Sequence, residues 1–452
     1  MKVIKFGGTS LASGMQFKKV LNIMQADNKR RLMVVSAPGK RNKTDIKITD
    51  LLIESAEAQL ASGTGDKILA MVIARYAEIH EILKLPAKVM DEIEHDFKKR
   101  LSTDLTSRNE YMDLMKAGGE DNSARLMAAY LNSVGMPARY LDPRQAGLLL
   151  SEEFGNARVL PESYEKLNHL GSLKEIGVFP GFFGYTPSGK LVTFPRGGSD
   201  ISGAILAAAV KAEVYENFTD VDSVFTVNPK IVPQARPITE LTYREMRELA
   251  YAGFTVFHDE ALLPVYEAGI PVWILNTNNP AAAGTKLVLH RKLNPAVPVS
   301  GIASDKGFAS LFISKYMMNR EVGFGRRILQ ILEEENISYE HTPSGIDNIS
   351  VIIRETQFSP ATENRVIHRI REELKVDSVE IERDLALIMI VGEGMSHNIG
   401  IATKATASFS RSNVNIEMIN QGSSEVSMMF GVKGADMERA VKGLYEEFFP
   451  SN

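Results

Sequence analysis

The sequence predicts an α/β protein with a mainly parallel sheet covered by helices on both faces, followed by two smaller repeated modules. Three observations carry that prediction. Over residues 1–290, apolar β-rich runs alternate with segments of helical periodicity. Beyond residue 300, an offset of 77 positions superposes one stretch of the chain on another, Gly323 falling on Gly400. And 452 residues are too many for one compact core.

The elements follow in order. "KVIKF" (2–6), "RLMVVSA" (31–37), "GVFPGFFGY" (177–185) and "LVTFP" (191–195) read as strands. They are apolar β-rich runs, the first of them alternating, and their succession with helices argues for a mainly parallel sheet covered on both faces. "QFKKVLNIMQ" (16–25), "DNSARLMAAYLNSV" (121–134) and "SGAILAAAVKA" (202–212) read as helices. Helical stretches between about 50 and 115 read as an insertion packed beside the sheet. "LVLHRKLNPAVPVS" (287–300), with two prolines and a basic cluster, reads as a linker.

After the linker the repeat places Asn336 on Asn413, Gly345 on Gly422 and Ser350 on Ser427, and apolar Ile337 and Ile349 on Val414 and Val426. Each copy reads strand, glycine turn, helix, strand, turn, strand, helix. The first ends with a further strand, "VDSVEIERD", which the second lacks, while "PVSGIAS" (298–304) is unassigned. An unpaired sheet edge is aggregation-prone, so "PVSGIAS" is expected to complete the second copy. The expected division is a first domain at 1–290, a nested module at 305–383, and a second module from 298–304 and 384–452.

Composition narrows the function. The chain is 44% apolar and 24% charged with net charge −4, and its scattered basic residues do not suggest nucleic acid. It has no cysteine, hence no disulfide or thiolate metal site, and its eight histidines do not cluster at ligand spacing. The first residues read as a strand rather than a signal peptide, and "AILAAAV" is too short to span a bilayer. A cytoplasmic protein is expected.

Three glycine-rich stretches are candidates for chemistry: "KFGGTS" (5–10), "AGGEDNSARLMAAYL" (117–131) and "TFPRGGSD" (193–200). Each is expected to open a helix, presenting free N–H groups and a positive dipole end. Gathered at the carboxyl ends of a parallel sheet, they would form an anion site. None matches GxxxxGK[ST] or GxGxxG, so neither a P-loop nor a dinucleotide fingerprint is present. Lys5 would be a point charge for phosphate oxygens, and Arg196 a clamp for a carboxylate. Asp200 and Glu120 read either as helix caps or as members of the same site.

These residues resemble a known family. "KFGGTS", "VVSAPG…TDLL", "GGE", "GFFG…TFPRGGSD", "FTDVDSVFTVNPK" and "NTNNPAAAGT" occur in the order seen in aspartokinases, and the paired repeats resemble ACT domains, βαββαβ modules that bind amino acids. The resemblance implies an amino-acid kinase fold, ATP with Mg²⁺ held mainly by its phosphates, and phosphorylation of the aspartate side-chain carboxylate. It implies that Lys5, Gly7, Gly8 and Ser10 contact ATP phosphates, and that Thr219, Asp220, Phe225 and Lys230 line the nucleotide pocket. It assigns aspartate to Thr49, Glu120 and Arg196, with Ser36 and the Phe182 backbone nearby, and gives Asp200 the task of organising Lys5. The chain departs from the usual family pattern at Pro195, at Asn228-Pro229-Lys230, and at Thr255 and Asp259.

The chemistry is consistent with the residues. A carboxylate nucleophile is already ionised at neutral pH and needs no general base. In the first repeat, "MNREVGFGRR" leads into a helix facing the turn "HTPSGIDNIS". A free amino acid would set its carboxylate on the Gly323 and Phe324 amides, beside Met318, with its ammonium at Ser344 and Asp347. By the same resemblance this ligand is an end-product inhibitor, lysine first and threonine second, and the modules pair between chains in a homodimer or homotetramer. Two other readings stand beside this one: a same-fold kinase for another acid, and an amino-acid sensor with an inactive kinase domain.

Overall fold

A computed structural model describes residues 1–104, 107–254 and 259–450. The chain divides into two compact units. The first comprises Met1–Val224, Pro237–Met246 and Thr255–Arg291; the second comprises Phe225–Arg236, Arg247–Phe254 and Lys292–Asn452.

In the first unit eight strands form one sheet, in the order Glu240–Thr242, Thr285–Val288, Val272–Asn276, Val214–Thr219, Lys2–Phe6, Arg30–Val35, Ile176–Pro180 and Ala138–Tyr140. Lys2–Phe6 is central and parallel to both neighbours, with Lys5 in register with Val34 on one side and Asn217 on the other. Among the described residues, the only antiparallel pairing in this sheet is between Val272–Asn276 and Thr285–Val288. Four consecutive helices, Ile48–Ser62, Asp66–Leu83, Ala87–Leu101 and Arg108–Ser133, form the insertion and its continuation. They close one large core in which Phe6, Phe17, Tyr76, Phe97 and Leu131 are buried.

Two sequence expectations change here. "GVFPGFFGY" is not one strand: it breaks after Pro180, and Phe183–Tyr185 pairs antiparallel with Leu191–Thr193 in a separate two-stranded sheet. The break is at Phe182, whose φ of 76° is incompatible with a continuing strand. The second correction concerns Gly118-Gly119-Glu120. They do not open a helix but lie in the middle of Arg108–Ser133, which starts at the Ser107 cap. The glycines serve close packing. A Cβ at Gly119 would lie 2.7 Å from Ala37 Cβ, and one at Gly118 would lie 3.1 Å from the Arg100 side chain.

The second unit is a five-stranded antiparallel sheet in the order Asn348–Arg354, Gly301–Ser314, Ser378–Val391, Ser427–Lys433, Met418–Asn420. The two 14-residue strands are shared: Phe308–Ser314 pairs with Asn348–Arg354, while Leu385–Val391 pairs with Ser427–Lys433. Gly301–Lys306 lies against Ala386–Val391. The repeat is visible in the backbone. Gly323 and Gly400 both cap helices in the left-handed region, with φ of 78° and 91°. Asn336 and Asn413 both follow those helices at positive φ. The first copy's expected second strand, near "ISYEH", is reduced to a bridge between His341 and Ile352.

Gly119→Ala tests the packing argument. Helix propensity alone favours alanine by about 1 kcal/mol, whereas overpacking costs about 1–3 kcal/mol. A lowered melting temperature is expected; a raised one would show that the helix does not need glycine for its approach to Ala37.

Candidate active site

The site is built where the central strand ends. Lys5 is buried, and its Nζ lies 2.6 Å from Asp200 Oδ1. Asp200 stands in the first turn of the helix Gly198–Ala209. That helix is capped by Gly197 at φ 80°, a conformation glycine adopts without a Cβ clash, and it has no side-chain cap. Asn217 Nδ2 donates to the same Asp200 oxygen at 2.7 Å, and Asn217 Oδ1 is buried with no partner. Lys5 and Asn217, neighbours across two parallel strands, thus converge on one carboxylate.

Glu120 is the second carboxylate. It is buried, and one of its oxygens, Oε2, has no hydrogen-bond partner. Burial pushes its carboxyl up to about 7; the Ala37 N–H, the nearby Lys5 charge and a hydrogen bond with Ser199 oppose that rise without cancelling it. The buried acid is thus short of positive partners, which is the condition an incoming ammonium would satisfy.

The glycine turn after Lys5 opens a four-residue 3₁₀ helix, Gly8–Leu11, and the α-helix itself begins at Gly14 behind the Ser13 cap. Gly39 packs directly on this turn: its N–H donates to the Gly8 carbonyl at 2.8 Å, and a Cβ on Gly39 would come within 2.6 Å of the Gly8 backbone. The Gly7 N–H is bonded to the Phe218 carbonyl, and Ser10 Oγ lies 2.7 Å from Thr277 Oγ1.

Among the residues expected to hold substrate, Ser36 is buried and its N–H reaches the Phe6 carbonyl. Thr49 is half-buried in the first turn of Ile48–Ser62, and Ile48 Cγ2 would lie 3.6 Å from a Cβ on Gly119. Phe182 donates its N–H to Ser202 Oγ at 3.0 Å and lies against Gly198. Arg196 is exposed and, among the described residues, has no ion pair. Thr219 ends its strand and donates to Asp220, which is exposed. Phe225 and Lys230 fall in the segment that groups with the second unit, where Phe225 packs on that unit's core and Lys230 is exposed. Thr255 and the Asp259 side chain lie outside the described residues. The sequence reading missed Asn217, Ser199 and the Ala37 amide. A polar residue amid the strand "VYENF" was the available signal for the first.

In the second unit Asp347 Oδ1 accepts the Met317 N–H at 2.9 Å, and its carbonyl accepts the Lys315 N–H. This ties the turn to the loop that carries Met318 and Gly323. Phe324 is buried, with Lys315 Nζ 5.3 Å from its ring centroid. Ser344 is separate: it is exposed and lines a cavity of about 740 Å³ on the sheet face with Phe312, Glu380 and Met418.

Residues 1–276 match the model of the Amino acid kinase family, and residues 388–448 match an ACT domain model. The chain is 55% identical over 449 residues to Aspartokinase 3 of Bacillus subtilis, covering 99% of both chains. It belongs to the aspartokinases. Among solved structures of this family, the aspartate kinase of Clostridium acetobutylicum superposes with a TM-score of 0.88 at 37% identity, covering 99% of this chain and 100% of that one. Escherichia coli aspartokinase III is known with aspartate and ADP (TM-score 0.78, 25% identity) and with lysine and aspartate (TM-score 0.81, 26% identity); each comparison covers 99% of this chain, and 100% and 99% of the other. No helix among the described residues of this aspartokinase is long and apolar enough to cross a membrane.

The high Glu120 value has a stability consequence. Between pH 4.5, the ordinary value, and about 7 the folded chain keeps a proton that the unfolded chain has released. The residue's contribution to stability therefore declines as pH rises through that window. Glu120→Gln, neutral throughout, is expected to raise the melting temperature relative to the parent at pH 8 and to match it more closely at pH 5. Equal differences at both pH values would contradict the burial argument.

Proposed function

We propose that this chain transfers the γ-phosphoryl group of ATP to the side-chain carboxylate of L-aspartate, giving 4-phospho-L-aspartate and ADP, the first step toward lysine, threonine and methionine. The observation that carries the reading is the convergence of Lys5, Asp200 and the partner-poor Glu120 at the end of the central strand. A relative bound to aspartate and ADP supports it.

The physical problem is bringing an anion to a polyanion. Two unit charges at ~4 Å repel by about 4 kcal/mol at an effective dielectric of 20. Lys5, oriented by Asp200, offsets that repulsion and stabilises the transferring phosphoryl. Gly7, Gly8 and Ser10 hold phosphate, and Thr219 and Asp220 contact the rest of the nucleotide. Arg196 pairs with an aspartate carboxylate and Glu120 takes its ammonium, with Thr49, Ser36 and the Phe182 backbone completing the pocket. Among the described residues no group of three acidic or histidine side chains forms a metal cage. Asp200 and the free Asn217 Oδ1 are hard oxygen donors, which fit a Mg²⁺ that arrives on the nucleotide and keeps its waters. Such an ion supplies charge neutralisation on the phosphates.

The second unit is read as a nested pair of ACT modules, 305–383 within 298–304 and 384–452, supported by the strand pairings. It takes a regulatory amino acid at Met318, Gly323, Phe324 and Asp347, lysine first and threonine second, and joins chains into a homodimer or homotetramer. The protein works in the cytoplasm.

In a coupled ADP-release assay, Lys5→Ala is expected to lower kcat by about 10²–10³, and Arg196→Ala to raise mainly the aspartate KM. Full turnover in Lys5→Ala would remove the phosphate role. Glutamate or N-acetylglutamate turning over faster than aspartate would replace the substrate. For the regulatory site, calorimetric titration should show lysine binding that Asp347→Asn weakens and that ATP with aspartate opposes, since coupling of affinities is reciprocal. An unchanged lysine isotherm in that variant would move the site elsewhere.

A further inference from the structure

The helix Asp66–Leu83 belongs to the insertion beside the sheet and contributes no residue to the site described above. Yet two consecutive side chains on it hold both walls around Glu120. Tyr76 donates its hydroxyl to the Gly119 carbonyl at 2.6 Å, in the helix that carries Glu120. Arg75 reaches the other wall, the loop that follows the strand Arg30–Val35.

Arg75 is 6% exposed. Its Nη2 donates to the Gly39 carbonyl at 2.9 Å, and its Nη1 lies 3.0 and 2.9 Å from the two Asp45 oxygens. Asp45 also accepts the Arg41 backbone N–H at 2.9 Å and the Arg41 guanidinium at 3.0 Å. The guanidinium therefore ties both ends of a surface loop, Gly39 and Asp45, to a rigid helix. What the loop carries gives this weight. Ala37 packs against Gly119, the residue before Glu120, and Gly39 sits on Gly8. The loop ends where Ile48–Ser62 begins, one residue before Thr49.

We propose that Arg75, paired with Asp45, is a positioning residue for aspartate binding: it fixes the loop between Ser36 and Thr49 so that the Ala37 amide and Gly39 stay on the pocket. Lysine does not substitute for it, because an ammonium is a single point with rotatable donors, whereas the guanidinium holds two nitrogens in a fixed plane, one toward the carboxylate and one toward the carbonyl. The inference rests on the reading of Glu120 as the ammonium acceptor.

The test compares Arg75→Lys, Asp45→Asn, Arg41→Ala and Glu120→Gln in the full-length enzyme, with kcat and aspartate KM measured separately beside the melting temperature. Displacing a positioning loop costs roughly 10–100-fold in reaction efficiency. Arg75→Lys is expected to raise the aspartate KM about tenfold, with kcat at saturating aspartate within about threefold; Asp45→Asn should shift KM the same way. Arg41→Ala, which lacks the Gly39 contact, should stay near the parent. A merely structural role would lower the melting temperature and the active fraction while leaving KM unchanged, which overturns the proposal. A KM shift in Arg41→Ala equal to that in Arg75→Lys also overturns it, by assigning the effect to surface charge. Where Arg75→Lys does not fold, Asp45→Asn decides alone. If Glu120→Gln keeps the parental KM, the reading of the pocket falls, and this proposal with it. If Glu120→Gln raises KM and neither clamp variant does, only the clamp is refuted.

Discussion

Everything at the end of the central strand is organised by one constraint: a lysine taken out of water must have an anion beside it. Removing one partner of such a pair leaves an uncompensated buried charge and costs about 3–5 kcal/mol. Strand register fixes Lys5 from one side, and the start of the helix Gly198–Ala209 fixes Asp200 from the other. Asn217 closes the triangle. Two parallel strands and one helix are thereby locked at a common point, and the glycine turns are arranged around it.

Glu120 is handled in the opposite way. Asp200 is committed to a cation, whereas Glu120 is buried and keeps one oxygen unpaired. One fold therefore holds two carboxylates in contrasting surroundings a short way apart. The first organises charge in the resting protein. The second stays unsatisfied until something positively charged enters. An internal acid left in that condition is expensive in stability, a cost that pays for selectivity.

The fold was largely legible because its strands are apolar runs with no competing interpretation, and because the repeat offset of 77 is written into turn residues whose backbone demands it, Gly323 with Gly400 and Asn336 with Asn413. The site was legible in its charged residues, Lys5, Asp200 and Glu120, since a buried charge between glycines has few bland explanations. The misplaced Gly118-Gly119 turn came from one ambiguity. A glycine pair reads identically whether it permits a turn or permits two elements to touch. At Gly197-Gly198 the chain turns; at Gly118-Gly119 a helix passes straight through and lies against Ala37. Asn217, Ser199 and the Arg75 clamp were invisible for a different reason: their meaning lies in partners between 17 and 79 positions away along the chain.

The shared strands of the second unit carry a consequence for modularity. Gly301–Ser314 and Ser378–Val391 each run unbroken through both halves of the sheet, bonding Asn348–Arg354 toward one end and, through Ser378–Val391, Ser427–Lys433 toward the other. No single cut in the chain separates the halves. A shuffled gene that exchanged one half would have to splice two strands mid-length and preserve their alignment at both junctions. The pair is thus transplanted whole or not at all, although its sequence looks like two separable beads.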